Sequence, residues 1–377
     1  MTDPAELLRE LVGVSSVSRE SNHGVISVAE VVLAQAGWRF RQYAYVDALG
    51  VVKTNLVAWP SQNSADDMHF RLALVCHTDT VPYSTNWADA TKLIEDGPDL
   101  KGCGACDVKG FLACILAVAA TIDAASLTKP LCIVLTADEE IGCLGARHLV
   151  ESQALRADYA IIGEPTSLQP ISAGKGYCLA EVTVNGREAH SAFPDNGKSA
   201  IFGAARLIVE IEKIAEQLKE FRRDNFSPPW TTLNVGEIQG GLAKNIVPPA
   251  CRFLLEWRPV ADQDPEFVLE LVRGAVQRLE QLDPLFHCEL KVLRVQEGFV
   301  SSPDSELLMS LIQATGKPPA SVAFGTEAPW LQRLGAETVV FGPGSMNSAH
   351  SPREFVPREE LYRCMDVLTE AIYNLCR

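Results

Sequence analysis

Leu72-Ala-Leu-Val75, after Arg71, is an unbroken apolar run, and it leads directly into Cys76-His77-Thr78-Asp79. A strand with one face in water alternates apolar and polar residues; a run without alternation is covered on both faces, as in a parallel sheet flanked by helices. Cys132–Thr136 (CIVLT) and Tyr159–Ile162 (YAII) have the same character. Between the first two runs, Val108 to Ile122 repeats apolar residues at helical spacing. Near the end, Glu337–Phe341 (ETVVF) gives one more such strand, followed by a helix from about Glu359 to Leu375. The reading is an α/β fold with a mostly parallel sheet covered by helices, closed by the last part of the chain.

The middle of the sequence follows another rule. From Cys178 to Val184 polar and apolar residues alternate, which predicts a half-buried strand. A helix follows, with Ile201, Ala204, Ile208, Ile211, Ala215 and Leu218 on one stripe. Thr231–Ile238 and Arg252–Trp257 read as two strands joined through a turn at Gly240-Gly241. A second helix carries Val268, Leu271, Val272, Ala275, Leu279 and Leu282, and His287–Val295 alternates as a last strand. The order βαββαβ is that of a ferredoxin-like α+β sandwich. With 377 residues, more than one core usually serves, the chain divides into residues 1–175 plus 297–377 and an inserted domain of 176–296.

A formal net charge of −15 repels phosphate backbones and anionic lipid, so neither nucleic acid nor membrane is expected as a partner. The longest apolar stretch, Phe111 to Ile122, falls short of the ~20 residues that span a bilayer. The first ten residues lack the basic start and apolar core of a secretory signal. Of eleven cysteines, Cys76, Cys114, Cys132 and Cys178 lie inside apolar runs and read as small buried hydrophobes in a reducing compartment, and the odd count argues against full disulfide pairing. The cytoplasm is the expected location. Ser61 to Asp67 reads as a polar surface loop.

Ligands of parallel α/β sheets gather beyond the carboxyl ends of the strands. His77-Thr78-Asp79, Glu139-Glu140 and Gly163-Glu164-Pro165-Thr166 each follow an apolar strand, and His350 lies in a loop after ETVVF. Singly, each has a plainer explanation: a satisfied structural histidine, a solvated acidic loop, a turn carboxylate before a proline. Jointly they meet at one edge of one sheet, and two adjacent carboxylates buried there would repel unless a cation or a raised pKa relieved them. Asp107 stands in the glycine-rich Gly102-Cys-Gly-Ala-Cys-Asp107-Val-Lys-Gly110, where its two oxygens could face two ions. A dinucleotide fingerprint would need glycine at Asp107, which weighs against a Rossmann oxidoreductase. Cys103 and Cys106 have no second pair to complete a zinc knuckle.

HTDTVP (77–82), GACDVKG (104–110), ADEE (137–140), GEPT (163–166) and AHSPRE (349–354) resemble, in order and over almost the whole chain, the motifs of the co-catalytic zinc aminoacylase and carboxypeptidase family. Cys103 is a local departure, where relatives often carry arginine. The resemblance implies two zinc ions, with cobalt as a substitute: Asp107 bridging both, His77 and Glu164 on one, Glu140 and His350 on the other. It further implies that Asp79 orients His77 and that Glu139 is the general base. GREAHSA (186–192) resembles the segment whose histidine enters the partner subunit's site, so His190 would stabilise the oxyanion in a homodimer formed through the inserted domain. Asn245 and Arg258 match positions that grip the substrate carboxylate. AIIGEPTSLQP (160–170), GTEAPW (325–330) and FGPGSMNSAH (341–350) resemble segments of the family's acetylornithine-cleaving members, and that resemblance implies N2-acetyl-L-ornithine as substrate, cleaved to L-ornithine and acetate in arginine biosynthesis, with Glu327 receiving its ammonium by charge matching. Succinyl-diaminopimelate, other acyl-amino acids and dipeptides are the alternatives within the family. A non-catalytic binding protein on the same fold is the alternative outside it.

Overall fold

The computed structural model describes residues 3–62 and 68–377, so most of the polar stretch Ser61–Asp67 lies outside the described residues. The chain forms two compact units. One comprises the chain up to Ser172 with Ser301–Ala320 and Thr326–Arg377; the other comprises Ala173–Val300 with Ser321–Gly325.

In the first unit the sheet runs Trp38–Val46, Val52–Pro60, Leu131–Thr136, His69–His77, Arg156–Gly163 and Glu337–Phe341. The last four are mutually parallel, and in register His77 stands beside Thr136 and Phe341 beside Gly163. Their carboxyl ends therefore share one edge. Every residue of Leu131–Thr136 is buried, as the unalternating sequence requires. The helix Lys109–Thr121 packs beneath, with eleven of its thirteen residues buried. Gly163 is needed for this approach, since a Cβ there would lie 2.1 Å from the Phe111 ring. Arg358–Cys376 covers the same layer through Leu361, Val367, Leu368 and Ile372.

The edge hairpin Trp38–Pro60 is antiparallel and makes the sheet mixed. Its first strand is exposed at most positions, which explains why WRFRQYAYV does not read as core. The turn is tied by Asp47, whose Oδ1 accepts the N–H groups of Leu49 and Val51 at 2.8 Å each.

The second unit holds an antiparallel sheet in the order Thr232–Gly240, Ala250–Arg258, Cys178–Asn185, His287–Arg294, with helices Ala200–Leu218 and Pro265–Leu282 on its apolar face. Two expectations change here. The first helix buries Ala200, Ala204, Leu207, Ile211, Ile214 and Leu218, while Ile201 faces out; the stripe is rotated by about one residue, because 3.6-residue periodicity leaves both settings apolar. Similarly, Leu282, at the end of the second helix, is 85% exposed. The link between Gly240 and Ala250 is a long excursion, not a tight glycine turn. Gly241 turns away at φ +85°, and Ile246–Val247 then pairs with Ala189–His190 before Pro248-Pro249. All eleven cysteines are buried, and among the described residues no helix is long and apolar enough to cross a membrane.

Candidate metal centre

Strand ends bring the acidic residues together. His77 is the last residue of its strand, Glu164 follows Gly163, and Glu139-Glu140 follow Thr136 by a short turn. The donor atoms of His77, Asp107 and Glu164 lie within 4.8 Å of one another, and so do those of Asp107, Glu140 and His350. Asp107 belongs to both sets. Its Oδ1 is 3.2 Å from His77 Nε2 and its Oδ2 is 3.1 Å from His350 Nε2, while His350 Nε2 is also 3.2 Å from Glu140 Oε1. The first triad is buried; the second opens outward through His350, whose side chain is 48% exposed.

His77 is held from behind. Its Nδ1 lies 3.0 Å from the Asp79 carbonyl oxygen, whereas the Asp79 carboxylate is 3.6 Å away, too far for a hydrogen bond. The backbone of Asp79 thus orients the ring. The carboxylate itself accepts from Ser18 Oγ at 2.8 Å and from the N–H groups of Glu139 and Glu140 at 3.0 and 3.3 Å. Asp79 therefore fixes both the histidine and the acidic turn opposite it.

Crowding shows in the proton affinities. Burial, reinforced by the negative charges of Glu140, Glu327 and Asp79, raises Glu139 to about 8 against the charge of His77. Burial and the charges of Asp107 and Glu139 push Glu164 well above its ordinary 4.5. Burial works against the ionised form of Asp107, but hydrogen bonds and charges from His350 and His77 outweigh it and hold the carboxyl below its usual range. Hydrogen bonds to Asp107 and Glu140 raise His350 to about 10. Histidine nitrogen with several carboxylate oxygens is a donor set that suits zinc. Glu164 and Glu139 are the sign that the residues fit divalent cations: burial and neighbouring negative charge outweigh the charge of His77 at both carboxyls, and cations at the two triads would offset that.

Glu354, quoted above in AHSPRE without a role, ties the two far ends of the cluster together. Its Oε1 accepts from the N–H groups of Cys106 and Asp107, and its Oε2 from Gly104, at 2.9 to 3.0 Å. A buried carboxylate bound only by backbone amides has no sequence spacing that announces it. Glu327 is 1% exposed, with burial raising it to about 7, and its Oε1 has no hydrogen-bond partner among the described residues.

His190, Asn245 and Arg258 belong to the other unit. His190 is exposed on the short Ala189–His190 strand, and the Ser191 N–H bonds the Asn245 carbonyl at 3.0 Å, so these two are neighbours. Arg258 and Arg294 both place their guanidinium carbons over the Tyr177 ring, 4.5 and 4.4 Å from its centroid. Burial and the charge of Arg258 lower Lys175 to about 8.

Fold and donor set together define a metallohydrolase: the chain belongs to peptidase family M20/M25/M40, matching its pattern over residues 73–374. It is 46% identical to the acetylornithine deacetylase of Myxococcus xanthus over 370 residues, covering 98% of this chain and 96% of that one. It is 33% identical to the acetylornithine deacetylase of Yersinia pestis, covering 99% and 97% of the two chains. The fold is shared with a tripeptidase from Staphylococcus aureus, at a TM-score of 0.79 and 22% identity over 98% of this chain and 97% of the other. An M20 family metallo-carboxypeptidase from Sulfolobus solfataricus matches at a TM-score of 0.77 and 19% identity, over 100% and 99% of the two chains.

Proposed function

We propose that this chain hydrolyses the amide of an N-acyl amino acid, with N2-acetyl-L-ornithine giving L-ornithine and acetate as its reaction in arginine biosynthesis in the cytoplasm. The observation that carries the reading is the pair of donor triads sharing Asp107, in a chain 46% identical over nearly its full length to an acetylornithine deacetylase. His77, Asp107 and Glu164 would hold one zinc, and Asp107, Glu140 and His350 the other, with cobalt able to replace them. When bound, such ions polarise a carbonyl and bring the pKa of water toward neutrality. Glu139 takes a proton from water and returns it to the leaving nitrogen, so one carboxylate serves as base and then acid.

The inserted unit, taken as residues 176–296, is assigned to pairing two copies and to substrate binding. His190 would stabilise the oxyanion, and Asn245 and Arg258 would grip the carboxylate. Two guanidinium groups stacked on Tyr177 (Arg258 and Arg294) favour an anionic group there. The unpartnered Oε1 of Glu327 favours a cation, which the ornithine side chain would supply.

The test is a panel of acetylornithine, succinyl-diaminopimelate, formylmethionine and a dipeptide on zinc- and cobalt-loaded protein, read as release of free amine. Acetylornithine should lead in kcat/KM by about tenfold or more. A dipeptide or the succinyl compound in first place overturns the substrate, and no turnover of any compound overturns the enzyme. Glu327→Gln should erase the preference for ornithine over neutral acyl-amino acids.

A further inference from the structure

The turn that carries Glu139 and Glu140 is anchored to a buried ammonium. Lys53, on the Val52–Pro60 strand, is 1% exposed. Its Nζ donates to the Ser18 carbonyl, to the Glu20 carbonyl at 2.7 Å and to Asp138 Oδ1 at 2.8 Å, which uses all three of its hydrogens. Asp47 Oδ2 is 3.9 Å away. The other oxygen of Asp138 accepts from the Tyr45 hydroxyl at 2.8 Å, so both ends of this fully buried carboxylate are pinned.

Backbone geometry gives the pinning a purpose. Asp138 sits at φ +58°, in the left-handed region that side-chain-bearing residues seldom occupy. Glu139 is the next residue, so its direction of departure depends on Asp138 keeping that conformation. A second branch reaches the same turn. Ser18, whose carbonyl holds Lys53, donates its hydroxyl to Asp79, and Asp79 accepts the N–H groups of Glu139 and Glu140. Lys53 is the point where the two branches join.

We propose that Lys53 is a positioning residue for Glu139, aiming its carboxylate through Asp138 on one side and through Ser18 and Asp79 on the other. The inference rests on Glu139 being the general base, and it adds a group that touches neither substrate nor the donor triads. Lys53 and Asp138 act as a unit. Removing either alone leaves a buried charge unpaired, which threatens folding as well as geometry.

The decisive variant is therefore the neutral pair K53M/D138N, in which no charge is stranded and the asparagine can still accept from Tyr45. The zinc content per chain, the melting temperature of metal-stripped protein, and kcat and KM are measured on it, on D138N alone and on E139Q. The expected result is cooperative melting and wild-type zinc content, with kcat reduced about 30-fold and KM changed by less than about threefold, since misplacement of a reacting group acts on the chemical step. D138N alone should lower kcat in the same direction. A kcat within about threefold of wild type in the folded double variant overturns the proposal. Loss of zinc in parallel with kcat also overturns it, because the pair would then be a support for the donor cluster. E139Q separates the two ideas: turnover in E139Q removes Glu139 as base, whereas an inactive E139Q beside an unimpaired K53M/D138N removes only the positioning role.

Discussion

Leu131–Thr136 in the first unit and Cys178–Asn185 in the second are both central strands, yet the first is buried at every residue and the second at every other one. Helices on both faces leave a parallel strand no place for polar side chains except its end. His77, Glu139, Glu140 and Glu164 accordingly collect at one edge, where burial raises the proton affinities of the three glutamates. The antiparallel sheet has an open face and meets its charges there in pairs such as Arg252–Glu181 at 3.1 Å. One unit concentrates charge where solvent cannot help it; the other spreads charge where solvent can.

The largest effect of that difference should come from chelation, which should abolish turnover and make stability depend on pH in one unit's chemistry. In metal-free protein Glu139, at about 8, and Glu164, well above 4.5, hold protons more tightly folded than unfolded. The folded state then binds more protons, and stability falls as pH rises from about 4.5 toward 8. His350, at about 10, adds stability that is complete below about 6.5 and fades above it, in the same direction. Asp107, held below 3.8, loses its contribution only as pH falls beneath this window. Melting temperature after chelation should thus be lower at about pH 8 than at about pH 5, and zinc should remove most of the slope. A flat profile would mean that the acidic cluster is not strained without metal.

Smaller effects follow along the strands. Ile133→Ala and Val134→Ala, at consecutive buried positions, should each cost about 2 kcal/mol or more in denaturant unfolding. In the second unit Val182→Ala should cost about 2 kcal/mol and its neighbour Thr183→Ala under about 0.5 kcal/mol. Equal costs at 182 and 183 would break the contrast. Smallest of all, Arg252→Ala, at an exposed ion pair, should change stability by less than about 0.5 kcal/mol.

The elements legible in the sequence include the strands at 69–77, 131–136, 156–163 and 337–341, each built on an unbroken apolar run, and the βαββαβ order of the middle. The edge hairpin Trp38–Pro60 escaped because its exposed strand carries arginine and glutamine between aromatics. The Gly240–Ala250 link escaped because its extra pairing with Ala189–His190 is a contact between distant segments.

The site divides in the same way. Sequence alone determined which residues offer nitrogen and carboxylate oxygen at strand ends, because residue type and position after an apolar run are local properties. Tertiary structure decided that Asp107 faces both histidines, that Asp79 holds His77 by its carbonyl, and that Glu354 and Lys53 brace the loops from behind. Those bonds join residues up to 250 positions apart, and a bond between distant segments leaves no periodic trace along the chain.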